Sequence, residues 1–158
     1  MQAHRKLVKA VIHLKMLKIR PSLCGHRIFI DKKEVARATF NLWSFGGKLI
    51  IQKKTLKIAG RGFPILNRYE LRQGKTCVAS MTLKMLLLPP SQVLEYNHQV
   101  YVWQNSRILH ENRELGLVKV RRLGPWIWSS IEVELPETLP LISQLFIVWR
   151  LLDRHRGE

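Results

Sequence analysis

Apolar residues recur at every second position in short runs along this chain, and polar turns cut the runs apart. His26-Arg27-Ile28-Phe29-Ile30 predicts a strand, Asp31-Lys32-Lys33 a turn, and Glu34 through Phe40 the returning strand, with Ala36, Ala38 and Phe40 sharing a face. Gly46-Gly47 then predicts a break. Lys48 to Ile51 and Leu56 to Ala59 predict a second hairpin, joined at Lys53-Lys54-Thr55. Arg68 to Leu71 leads through Arg72-Gln73-Gly74-Lys75 into Thr76 to Lys84, and Gly74 suits a turn that needs positive φ.

The second half continues this grammar. The apolar run Met85-Leu86-Leu87-Leu88 is closed by Pro89-Pro90, which cannot donate to a ladder. Strands are predicted at His98 to Trp103, Arg107 to His110 and Leu115 to Arg121. Gly124-Pro125 marks a further break, and Trp126 to Leu135 is the clearest strand, with Ile131, Val133 and Leu135 inward and Glu132 and Glu134 outward. Near the start, Ile12 to Met16 and Leu17 to Arg20 both alternate, with the phase shifted by one, which predicts strand.

After Pro136 the period of two disappears. From Thr138 to Arg154, the residues Leu141, Ile142, Leu145, Phe146, Val148, Trp149, Leu151 and Leu152 cover nearly every direction of a helix. A helix apolar all round belongs inside a core, and this one is too short to span a membrane. Arg150, Arg154 and Arg156 suit its C-terminal end, where the helix dipole is negative. The expectation from these patterns is a mainly β fold of short strands with one hydrophobic C-terminal helix buried in its core. Residues 1–158 would form a single domain, with strands over about 12–135 and the buried helix over about 138–154.

Charge changes the picture. The chain has 158 residues, 46% hydrophobic, yet 27 Lys and Arg face 11 Asp and Glu for a net charge of +16. Residues 1 to 68 carry 16 of the cations and two acids, whereas residues 69 to 158 are nearly balanced. Crowded like charge costs stability unless an anion relieves it, so the partners implied are an anionic membrane surface, nucleic acid or an acidic protein. Residues 1 to 30 contain seven Lys and Arg and no acid, which leaves organelle targeting as an alternative for that stretch. Otherwise neither a signal-peptide core nor a transmembrane helix is expected, and a cytoplasmic protein, peripheral to a membrane, is.

About ten or eleven short strands followed by one apolar C-terminal helix resembles the tubby C-terminal-like superfamily, especially the LURP-one-related proteins. The units Phe29 to Phe40 and Tyr69 to Lys84, the Glu114-Leu115-Gly116-Leu117-Val118 strand and the helix from Leu139-Pro140-Leu141-Ile142 to Leu152 carry that match, over roughly residues 12 to 156. The resemblance implies an antiparallel β-barrel of about 10–12 strands wrapped around the hydrophobic C-terminal helix, and binding of phosphoinositide-like headgroups rather than catalysis. No headgroup motif of the family can be matched residue by residue, so no named site is transferred.

Catalytic and metal chemistry find little support in the residues. Cys24 and Cys77 cannot make a four-thiolate site, and two reduced, buried thiols are expected. The six histidines show no His-x-x-x-His spacing, and Asp31 and Asp153 are the only aspartates. No nucleophile elbow or phosphate-binding glycine loop occurs; Gly60-Arg61-Gly62 reads as a turn. Glu132 and Glu134 share a face that is more simply a solvated exterior, and Trp103, Trp126, Trp128 and Trp149 read as core. No enzyme activity, cofactor or metal is expected. The expected anion site is basic: Lys15, Lys18, Arg20 and Arg27; Lys32 and Lys33 at a turn tip; and Lys53, Lys54, Lys57 and Arg61 around a hairpin. Anionic phospholipid headgroups are its expected ligand, with RNA or DNA as the alternative.

Overall fold

Alternation of this kind has to hide one face of every strand, and here the strands do so by curling around a helix. The structure, a computed structural model, describes residues 14–23, 25–62, 67–84, 90–123 and 130–156. The strands are β1 (Leu14–Ser22), β2 (Gly25–Ile30), β3 (Lys33–Phe40), β4 (Gly46–Ile51), β5 (Lys54–Arg61), β6 (Arg68–Gln73) and β7 (Thr76–Lys84). They continue as β8 (Ser91–Tyr96), β9 (Gln99–Gln104), β10 (Arg107–His110), β11 (Arg113–Leu117), β12 (Lys119–Leu123) and β13 (Ser130–Pro136), before helix α1 (Leu141–Arg156). Residues before Leu14, the first part of the stretch considered for targeting, and Cys24, Met85 to Pro89 and Gly124 to Ser129 lie outside the described residues.

All thirteen strands form one antiparallel sheet in the order β11-β10-β9-β8-β7-β6-β5-β4-β3-β2-β1-β13-β12. The two ends of that order are consecutive in the chain. β11 pairs with β10, and one residue later β12 pairs with β13 on the far side. Val118 is the hinge, and its amide donates to the Ser106 carbonyl at 2.7 Å. A single extended segment thereby brings the edges of the sheet together into a nearly closed barrel.

Barrels of about eight strands are filled by their own side chains, while barrels of 16 or more leave a channel. Thirteen strands fall between, and α1 occupies the space. Residues Ser143 to Trp149 of α1 are each at most 1% exposed, a run long enough to point in every direction. The helix enters from the end where Pro136 closes β13 and leaves where β3, β6 and β9 end or begin. Trp149 lies against Phe40 and Tyr69, with ring centroids 5.4 and 5.3 Å away, and donates from Nε1 to the Thr39 carbonyl at 3.1 Å. Both partner rings sit opposite a glycine on the adjacent strand, Phe40 beside Gly47 and Tyr69 beside Gly60. Small residues make room where the helix is bulkiest.

Five hairpins close with two residues that both take left-handed φ: Asp31-Lys32, Gln52-Lys53, Asn97-His98, Asn105-Ser106 and Glu111-Asn112. That geometry matches the twist of paired strands. Four of these turns cluster at the end where α1 enters, called the lower end; the β1–β2 and β3–β4 connections lie at the upper end.

Several expectations need correction. Gly46-Gly47 does not break the chain; it opens β4, pressed so closely on Thr39 and Ile58 that no side chain fits. Leu115 to Arg121 is two strands serving two ladders, not one. Ser91–Tyr96 is an additional strand, β8, and His98 lies in the following turn. Gly60 and Arg61 belong to β5, and Lys33 and Lys54 begin strands. The phase of β1 does not shift: Leu17 and Ile19 are buried, so Leu14 and Met16 face outward and are exposed. Cys77 is exposed, not buried. α1 begins at Leu141, after Leu139 has turned back to the Pro136 carbonyl.

Candidate anion-binding surface

Register decides which cations meet. On β1, β2 and β3 the outward residues Arg20, Arg27 and Arg37 are direct neighbours. One level along the barrel, Thr39, Lys48, Lys57 and Arg72 are neighbours across β3 to β6. Arg61 of β5 stands opposite Arg68 of β6. Facing residues in such a ladder have Cβ atoms about 4.5–5.5 Å apart. The outer flank of β1 to β6 is therefore a continuous basic band.

Among the described residues of these strands the carboxylates are Glu34 and Glu70. Each is enclosed by arginines. Glu34 accepts from Arg27 Nη2 at 2.8 Å and from Arg37 Nε at 2.6 Å. Those hydrogen bonds pull its carboxyl down to about 2. Glu70 accepts from Arg72, with Arg68 and Arg61 at 3.5 and 3.9 Å, and its carboxyl is likewise lowered, chiefly by the Arg72 hydrogen bond. Lys18 faces Glu132 across β13 at 3.8 Å. Arg20 and Arg27 both lie over the Phe29 ring, 5.3 and 5.2 Å from its centroid. Lys48 and Lys57 are exposed and make no ion pair among the described residues.

The ten residues expected from sequence separate into two groups. Lys18, Arg20, Arg27, Lys57 and Arg61 lie on the band. Lys32 and Lys53 sit on turn tips at the lower end, where Lys33 and Lys54 begin their strands. Lys15 is a correction: it shares the inward register of Leu17 and Ile19, so it sits at the lower rim, on the opposite face from Lys18 and Arg20. Sequence reasoning missed Arg37, Lys48, Arg68 and Arg72. Their signal was present, since each stands at an outward position of an alternating strand, but only the pairing register shows that they adjoin.

A second polar region lies inside the upper mouth. A cavity of about 370 Å³ is lined by Gln92, Trp103, Arg150 and Arg154, among others. Arg150 donates to Gln92 at 3.1 Å and to Asp153 at 3.2 Å and lies over Tyr69, whose hydroxyl donates to Asp153 at 3.1 Å. Burial lowers the Arg150 guanidinium from its ordinary value, while Tyr69 and Asp153 oppose that shift. This network is satisfied by the protein itself. Among the described residues no group of three His, Cys, Asp or Glu could hold a metal ion, and no helix is long and apolar enough to cross a membrane. Compared with known proteins, the chain matches no family model, no curated protein and no solved structure.

Proposed function

We propose that this protein is a non-enzymatic binding module whose basic flank docks on anionic phospholipid headgroups, phosphoinositide-like in charge, at a membrane surface. We further place it, as part of that proposal, with the tubby-like and LURP-one-related barrels. The observation that carries the reading is the row of Lys48, Lys57 and Arg72 beside Arg20, Arg27 and Arg37, where β1 to β6 themselves supply two glutamates and Glu132 of β13 meets Lys18 at the edge. Lysines that lack a protein counter-ion are the groups an external anion relieves. Nucleic acid would use the same charge, and the experiment below separates the two ligands.

Sedimentation with phosphatidylcholine vesicles, with and without phosphatidylserine or a phosphoinositide, tests the reading against filter binding of RNA and DNA at equal salt. Binding to acidic vesicles alone is expected. Each cation near an anionic surface is worth about 1 kcal/mol. Lys48→Ala with Lys57→Ala should thus weaken vesicle binding by about 30-fold, at about 1.4 kcal/mol per factor of ten. Saturable RNA or DNA binding without vesicle binding would sink the proposal.

A further inference from the structure

The upper end of the barrel carries an apolar surface that the fold does not use. In the β1–β2 turn Leu23 is 96% exposed, and in the β3–β4 loop Leu42, Trp43 and Phe45 are 88%, 97% and 68% exposed. These connections are neighbours, because β1 to β4 are consecutive in the sheet. Soluble surfaces seldom present such side chains together unless something covers them.

The loop is held outward. At its base the Asn41 amide donates to the Gly46 carbonyl at 3.0 Å. Behind that base the lumen is already filled by Phe40 and Trp149. Gly46 and Gly47 lie against the backbone of Ile58 and Thr39, which leaves the tip no route inward.

Cations surround the same end. Arg20 and Arg27 stand two residues from the β1–β2 turn, and Lys48 stands two residues from the start of β4, with Lys57 beside it. Two strand residues rise about 7 Å, or about 5 Å along the axis of a tilted barrel. The headgroup layer on one side of a bilayer is about 5–7 Å thick. Leucine and aromatic tips seated at the acyl boundary would put these cations at the level of the lipid phosphates, and tryptophan favours that boundary.

We infer that Leu23, Leu42, Trp43 and Phe45 insert into an anionic membrane, so that the barrel stands with its upper end down and its lower end in water. The inference rests on the headgroup reading above and adds depth and orientation to it. It also assigns no role in docking to the lower-end lysines, Lys32, Lys53 and Lys75, which sit on turns at the far end.

The full chain is mixed with vesicles of phosphatidylcholine and phosphatidylserine, with or without brominated acyl chains. Brominated lipid should quench tryptophan emission, and Trp43→Phe should lose that quenching. Trp43→Ala with Phe45→Ala should weaken binding by about 100-fold, each half-buried ring contributing about tenfold. The pair Lys32→Glu and Lys53→Glu should leave binding unchanged. If the wild type fails to bind, the headgroup reading itself falls. If it binds but Trp43 is not quenched and the alanine pair binds equally, insertion falls while the headgroup reading stands. A dimer or an RNA complex that depends on Trp43, with no quenching by lipid, also overturns the inference.

Discussion

Two tryptophans in opposite surroundings provide the sharpest test of the architecture. Trp149 is fully buried in the lumen between Phe40 and Tyr69, with its indole bonded to Thr39. Trp43 is 97% exposed. Truncating a buried tryptophan to alanine costs about 3–5 kcal/mol, through lost transfer energy and the cavity left behind. Loss of the indole hydrogen bond lies within the upper part of that range, since one such bond is worth about 0.5–1.5 kcal/mol. For a chain of this length each kcal/mol moves the melting temperature by about 2–4 °C, so Trp149→Ala should lose about 10 °C. Trp43→Ala should change stability by less than about 0.5 kcal/mol. Urea unfolding followed by far-ultraviolet circular dichroism measures both without relying on tryptophan emission. Should the alanine variant not fold, Trp149→Phe keeps most of the ring, removes the N–H, and still should destabilise by more than any change at Trp43. Equal, small effects at the two positions would mean that α1 is not enclosed by the sheet.

Other positions give independent checks. Gly47→Ala would bring a Cβ to 1.9 Å from the Thr39 carbonyl oxygen, the same oxygen that accepts from Trp149. It should cost about 3 kcal/mol in urea denaturation. Gln52 and Lys53 hold φ values of 49° and 67°, the region that side chains other than Gly and Asn resist. Gln52→Asn with Lys53→Gly should raise stability by about 1 kcal/mol and leave vesicle binding intact. His26 is half-buried, its shielded Nδ1 lacks a hydrogen-bond partner among the described residues, and burial lowers its pKa below 6.5. Below pH 6.5 the unfolded chain therefore takes up the proton first, so stability is complete above that pH and falls as the pH drops. The urea midpoint should decline as the pH drops below about 6.5, and His26→Leu should flatten that decline.

What the sequence disclosed follows from how local each signal is. Alternation in Ile131, Val133 and Leu135, and the all-round apolar run from Leu141 to Leu152, depend only on neighbours in the chain, so the strands and the enclosed helix were legible. Gly46-Gly47 misled because a glycine pair signals a turn and a close approach equally well. The close approach to Thr39 and Ile58 is set by strands seven or more residues away. β8 was missed because Ser91, Gln92 and Glu95 dilute its apolar positions, although Leu94 is fully buried. The basic band needed the register of six strands. Charge density along the chain found Lys57 and Arg61 but grouped them with Lys53 and Lys54, which lie at the other end of the same strand.

The division between inside and outside explains why so basic a chain folds at all. Inward positions of β1 to β6 supply Leu17, Ile19, Ile28, Ala38, Leu49, Ile58 and Leu71 to one core. That core is formed without regard to which charges occupy the alternate positions, because successive side chains never share a face. The exterior can therefore collect arginines and lysines whose mutual repulsion is eased by Glu34 and Glu70 and, beside Lys18, by Glu132. Repulsion between neighbouring strands weakens the folded state, and whatever anion relieves it stabilises that state by the same linkage. A headgroup layer does so at many positions together, along a row of cations spaced by the strands themselves. A small anion would relieve one pair and leave the rest. On the headgroup proposal, the partner is therefore an extended anionic surface and not a single charged molecule.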